Sequence, residues 1–171
     1  MAVNLFEIFD LGFSMDDVQK VIAKVQSLHF PAANKTYVHN DFNWHNTLIP
    51  DNDPSRSVII DPNPIVGDKH WDLAYIENKK EGEAIEEEIT GKPSRKQESL
   101  YADLLKQAYE EISGETIDPQ LLLACQLPRT LRAYAFYTTR SEALFGSLEG
   151  NMQYAVLKEK LKRQISQMIE R

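Results

Sequence analysis

A single cysteine, Cys125, stands among the 171 residues, so no internal disulfide framework holds this chain together. Set in the apolar run Leu121-Leu-Leu-Ala-Cys125, it reads as an inert core thiol of a protein from a reducing cytoplasm. No apolar stretch approaches the ~18 residues of a membrane helix, and no signal-peptide pattern opens the chain. Positive charge is scarce as well. Nineteen Lys and Arg against twenty-six Asp and Glu leave a net charge of −7, which speaks against a nucleic-acid partner. The same balance suits a cationic substrate or a divalent metal. The seven glycines, at 12, 67, 82, 91, 114, 146 and 150, are too scattered to build a phosphate-cradling loop.

What is present is the composition of a globular protein, 42% hydrophobic and 26% charged. The length fits one domain, residues 1–171, with a sizeable core. Ser14-Met-Asp-Asp17 has the form of a capping box with Asp in place of Glu. Beyond it Val18, Val21, Ile22, Val25 and Leu28 recur at helical spacing, and Pro31 stops the run. Thr36–Val38, Asn46–Ile49 and Ser57–Ile60 are short and β-prone, and Asp51-Asn-Asp-Pro-Ser55 makes a hairpin of the last two. Trp71–Tyr75 turns helical. Residues 79–99 are highly charged and broken by Gly82, Gly91 and Pro93, which predicts a charged loop with Glu86–Glu88 in solvent.

Residues 100–171 read as helices. Leu100, Leu104, Leu105, Ala108 and Ile112 form one expected core stripe. Asp118-Pro119 opens a second helix through Leu122, Ala133 and Phe136, where Pro128 predicts a break or kink. Asn151 is placed to cap a last helix carrying Tyr154, Leu157, Leu161, Ile165 and Met168. Arg129, Arg132 and Arg140 are expected to be surface or capping residues. The fold class that results is mainly α with a small β-hairpin.

The chemistry concentrates between residues 37 and 64. Tyr37-Val-His-Asn-Asp-Phe-Asn-Trp-His-Asn46 sets His39, Asp41 and Asn46 in an H-x-D-x4-N order, and Asp61 follows fifteen residues after Asn46. Asp41 can act as a carboxylate at an attacking hydroxyl. Asn46 and Asp61 offer hard oxygens of the kind Mg2+ prefers, and a hairpin would fold one back beside the other. Any one of these residues alone is at home in an ordinary turn; the ordered set is rarer. Trp44 and His45 are candidates for a substrate pocket. His45 and His70 lack the third ligand that a zinc site requires.

The loop His39-Asn-Asp41 with Asn46 resembles the catalytic loop of the aminoglycoside phosphotransferase and choline kinase superfamily. Asp61-Pro-Asn-Pro-Ile-Val-Gly-Asp68 with Trp71-Asp-Leu-Ala74 resembles the block that follows it in the streptomycin and hydroxyurea phosphotransferase branch. The resemblance implies a protein-kinase-like C-terminal lobe that uses ATP and Mg2+ to phosphorylate a small polar substrate. It implies Asp41 as the catalytic residue and Asn46 and Asp61 as metal ligands. Asp72 would brace the catalytic loop, with His39 as a further structural support.

Two departures stand out. Asn40 occupies a position commonly held by Gly, although choline-kinase-like members carry Asn as well. Only 38 residues precede His39, with neither a Gly-rich loop nor a V-A-x-K strand, so an N-terminal nucleotide-clamping lobe is not expected within them. The sequence therefore leaves three readings: half of a kinase, a non-catalytic lobe that binds a ligand or protein, or a scaffold completed by a separate lobe or a homo-oligomer. The third would expose apolar surface around Met1–Phe13.

Overall fold

Ser14 and Asp17 begin the first helix as a reciprocal pair. The Ser14 Oγ accepts from the Asp17 amide at 3.2 Å, and the Asp17 carboxylate accepts from the Ser14 amide at 3.2 Å. Two of the helix's unpaired amides are thereby satisfied. The chain was analysed as a computed structural model that describes residues 11–28, 30, 32, 35–93, 97–139 and 148–171. Within these ranges, the side chains at 44, 52, 54, 97, 98, 138, 139, 148 and 149 lie outside the description. Helix α1, Met15–Ser27, buries Val18 and Val21. They join Leu11, Leu123, Leu127, Tyr134, Leu161, Ile165 and Met168 in the main core.

Two small antiparallel ladders follow. Strand β1, Lys35–Val38, pairs with β4, Ile65–Asp68, in a register that sets Tyr37 opposite Val66. Strands β2, Thr47–Leu48, and β3, Val58–Ile59, form the expected hairpin, with short 3-10 turns over residues 50–56. The β4 strand is not evident from sequence, because Ile-Val-Gly-Asp is short and follows two prolines. Its partner also lies nearly thirty residues upstream.

Helix α2, Trp71–Thr90, corrects one expectation. Residues 79–90 continue the helix instead of forming a charged loop. Glu and Lys are good helix formers, and a single interior Gly costs only about 1 kcal/mol. The helix ends where Gly91 takes φ 66° and caps it in the left-handed region. Helix α3 covers Gln97–Ser113, α4 Pro119–Thr139 and α5 Leu148–Glu170. Helix α2 packs against α3, α4 and α5.

The expected core stripe of α3 faces largely outward: Leu100, Leu104 and Ile112 are 62%, 56% and 87% exposed. Polar contacts with α2 orient the helix differently. Lys80 pairs with Asp103, Lys106 pairs with Glu77 at 2.8 Å, and Ser99 donates to Glu83. Buried Ala102 then meets the packed side. Helix α4 runs unbroken through Pro128, and Asp118 caps its first turn through the Gln120 and Leu121 amides. Asn151 lies inside α5 and not at its cap, while Leu161, Ile165 and Met168 are buried as expected. Phe136 is 45% exposed. No helix among the described residues is long and apolar enough to cross a membrane.

Candidate active site

Strand β1 delivers the chain into a loop at residues 39–46 whose backbone is held from three sides. From the first turn of α2, Asp72 accepts from the His39 amide at 2.7 Å and from the Asn40 amide at 2.8 Å. His39 fixes the next residue and reaches across to the hairpin. Its Nδ1 accepts from the Asp41 amide at 3.3 Å, so Nε2 carries the hydrogen donated to the Ile60 carbonyl at 3.0 Å. The His39 carbonyl in turn accepts from the Asn63 amide.

The third hold comes from α4. Asn40 is buried and takes φ 65°, a left-handed conformation that Asn tolerates better than most residues. Its Oδ1 accepts from Trp71 Nε1 at 2.8 Å and from Arg129 Nη1 at 3.2 Å. Its carbonyl accepts from Arg129 Nη2 at 2.8 Å. The guanidinium lies over the Tyr75 and Trp71 rings, 4.4 and 5.0 Å from their centroids. Burial lowers Arg129 to about 10, opposed by the nearby Asp72 and Tyr75. It remains a cation at neutral pH.

Asp41, so positioned, is oriented by two amides. Asn46 Nδ2 donates to its Oδ2 at 3.0 Å, and Asn43 Nδ2 approaches its Oδ1 at 3.3 Å. Because Asn46 spends its nitrogen on Asp41, its amide oxygen is left over as a hard acceptor. The Asn46 carbonyl accepts from the Ile60 amide at 2.9 Å. The hairpin thus brings Asp61, the next residue, to the same end as Asn46. Asp61 is exposed, has φ 56°, and its carboxylate meets no donor among the described residues. A left-handed conformation at a non-glycine residue costs on the order of 1–2 kcal/mol.

No three His, Cys, Asp or Glu side chains among the described residues converge into a metal cage. One amide oxygen with one carboxylate is a different kind of donor set. It fits Mg2+, which keeps several waters and draws its other ligands from substrate phosphates.

Asp41 and Asn40 line a cleft of about 830 Å³, whose other walls come from α2, α4 and α5. Trp71, Tyr75 and Arg129 form its near wall, and Lys160 lines it from α5. His45 is exposed and is not among the lining residues, and the Trp44 side chain lies outside the described residues. His70 is buried with its Nδ1 2.6 Å from Asp68, which accounts for it without a metal. Cys125 is buried, and desolvation pushes its thiol up to about 12.

The chain matches no family model. It matches no curated protein and no solved structure either.

The site therefore stands on its geometry, which gathers His39, Asp41, Asn46, Asp61 and Asp72 around one loop. Arg129, expected as a surface or capping residue, instead turns its guanidinium onto Asn40 of the loop. Nothing in a helical Arg-x-x-Arg spacing marks which arginine turns inward, since the three groups it serves come from other elements. Asn43 and Lys160 were likewise missed. The Asn43-x-x-Asn46 spacing is a local signal, because Asn43 Oδ1 accepts from the His45 amide at 2.9 Å as in a turn cap. Lys160 has no such signal.

Proposed function

We propose that this chain is the catalytic lobe of a small-molecule kinase, transferring the γ-phosphoryl group of ATP to a hydroxyl of a small polar substrate. The observation that supports this reading is the coupling of Asp41 to Asn46. A carboxylate facing a cleft is held by an amide whose free oxygen lies at the hairpin end shared with Asp61. This is the division of labour that phosphoryl transfer asks of a protein.

In this mechanism Asp41 accepts a hydrogen bond from the acceptor hydroxyl and takes its proton as the oxygen attacks. Asn46 Oδ1 and the Asp61 carboxylate would hold Mg2+, which when bound would supply charge neutralisation at the phosphates. Asp72, His39 and Arg129 keep the loop from shifting, because a misplacement of 1 Å costs about 10²-fold in such a reaction. The nucleotide would be clamped by a further lobe, joined to this chain or supplied by another. Leu48, Ile49, Val58 and Ile59, each about half exposed on the hairpin, offer apolar surface for base and lobe. Of the Met1–Phe13 segment, residues 1–10 lie outside the described residues, while Leu11 is buried and Phe13 packs on the core.

The lack of any glycine-rich phosphate loop in the 171 residues favours a second reading, a non-catalytic lobe that binds a ligand in the cleft. Phosphotransfer assays separate the two. The chain is fused or mixed with a nucleotide-binding lobe and offered amino alcohols, sugars and hydroxy acids with ATP and Mg2+. Turnover that disappears in Asp41→Asn supports the kinase. Ligand binding without Asp41-dependent turnover supports the second reading.

A further inference from the structure

Lys160 is only 4% exposed, yet it lines the same cleft as Asp41. Its amine lies beside Gly82, 3.9 Å from where a Cβ would stand, an ordinary contact distance. Among the described residues no carboxylate comes within ion-pair distance of Nζ, and no acceptor comes within hydrogen-bond distance. Most neighbouring polar groups are engaged with one another, although Gln164 Oε1 is buried without a hydrogen-bond partner among the described residues. Gln164 Nε2 donates to Asn78 Oδ1 at 2.9 Å and to Glu81 at 3.3 Å. Asn78 Nδ2 donates to Thr130 Oγ1 at 3.0 Å. Glu77 is paired with Lys106. Glu81 is the acid that acts on it most strongly, but burial pushes its carboxyl up and weakens it as a counter-ion.

A buried ammonium without an internal partner is costly unless something else supplies the charge. The open side of Lys160 is the cleft. We propose that Lys160 forms an anion subsite that binds a carboxylate of the molecule whose hydroxyl is presented to Asp41. The substrate class is then a hydroxy acid, in place of the polycation that the net charge alone would suggest. A singly charged carboxylate suits one ammonium flanked by Glu81 better than a phosphate dianion does. This inference rests on the reading of Asp41 as the residue that receives the hydroxyl.

Burial also lowers the Lys160 amine to about 7, against the pull of Glu81. Glu77 and Lys79 of α2 act on it in opposite senses, and Arg129 and Arg132 of α4 line the same cleft. Carboxylate binding therefore takes up a proton and weakens as pH rises above neutrality.

The test uses matched probes, D-glucuronate against D-glucose and 4-hydroxybutyrate against 1,4-butanediol, with the full chain labelled at its lysine Cε atoms for NMR. The Lys160 signal is identified by its loss in Lys160→Met. It is expected to shift saturably with a carboxylate and not with the neutral partner of the pair. By calorimetry, Lys160→Met should bind that carboxylate about 10- to 100-fold more weakly, and Lys160→Arg should retain part of the affinity. No shift with either carboxylate, equal shifts within both pairs, or undiminished binding by a folded Lys160→Met would overturn the proposal. Asp41-dependent phosphorylation confined to neutral or cationic acceptors would sink this inference and leave the kinase standing. Lys160-dependent carboxylate binding with no Asp41-dependent turnover would do the reverse.

Discussion

Arg129 and Asn40 lie 89 positions apart and are joined by two hydrogen bonds, to the Asn40 carbonyl at 2.8 Å and to its side chain at 3.2 Å. The contact ties α4 directly to the residue before Asp41. Arg129 also rests on Trp71 and Tyr75, so the loop, α2 and α4 share one polar joint under the cleft. A planar, two-pronged donor is what this joint requires, and lysine cannot reproduce it.

Arg129→Lys should therefore destabilise the chain by about 1–3 kcal/mol, leaving an Asn40 acceptor unpaired. Asn40 gives a second handle. Asn40→Ala loses the side-chain bonds from Trp71 and Arg129, keeps the carbonyl bond and leaves a Cβ at φ 65°, whereas Asn40→Gly loses the same side-chain bonds but relieves the backbone. Urea midpoints should rank wild type above Asn40→Gly, and Asn40→Gly above Asn40→Ala by about 1 kcal/mol. Equal midpoints for the two variants would show that the left-handed backbone carries no cost here.

Asp72 is tested separately, because its two carboxylate oxygens serve two amides. Asp72→Ala strands the His39 and Asn40 N–H groups and should cost about 1–3 kcal/mol. Asp72→Asn keeps one acceptor oxygen and should cost less. Amide exchange at residues 39 and 40 should rise in Asp72→Ala beyond what the global loss explains. Exchange that tracks global stability alone would mean that Asp72 is not a local brace.

The capping box and the hairpin were legible because each depends on residues close in sequence or on a dense motif, whereas the Asp72 bonds to the His39 and Asn40 amides were expected only from the family resemblance. Ser14 and Asp17 are three apart, and the β2–β3 turn is crowded with Asp, Asn and Pro. What was not legible depends on tertiary choice. The apolar stripe of α3 has ordinary helical spacing, but ion pairs from Lys80 and Lys106 turn Ala102 inward and leave Leu100 and Leu104 outside. Residues 79–90 carry helix-forming side chains that outweigh Gly82, so the helix continues to Thr90 and only Gly91 ends it. Arg129 and Lys160 look like any helical cations until the neighbouring elements show Lys160 buried and Arg129 half-buried with its guanidinium on Asn40.

The assay of Asp41 has a definite expectation. As 171 residues alone the chain should turn over little ATP, since nothing among the described residues clamps the β- and γ-phosphates. Positioning and electrostatics supply most of the catalysis in this reaction. With a nucleotide lobe fused or added in trans, turnover should appear, and Asp41→Asn should lower it by roughly 10²–10⁴. Robust Asp41-dependent turnover by the 171 residues alone would show that the phosphates need no second lobe. Equal rates in wild type and variant would remove Asp41 from the chemistry.

Lys160 makes stability depend on pH in a direction that can be worked out. Its amine is held near 7 when folded and returns to about 10.4 when unfolded. Between those values the unfolded chain binds more protons, so this group adds stability as pH rises through the window and withdraws it below. Glu81, raised by burial, acts oppositely at lower pH, where stability falls as pH rises through its own window. Replacing the amine by a thioether removes the first effect. Lys160→Met should thus be more stable than wild type at pH 7 and below by about 2–4 kcal/mol, with the advantage shrinking toward pH 10. Paired urea titrations from pH 6 to 10 measure it. A constant difference across the range would mean that Lys160 keeps an ordinary amine in the fold, with its charge compensated from within the protein.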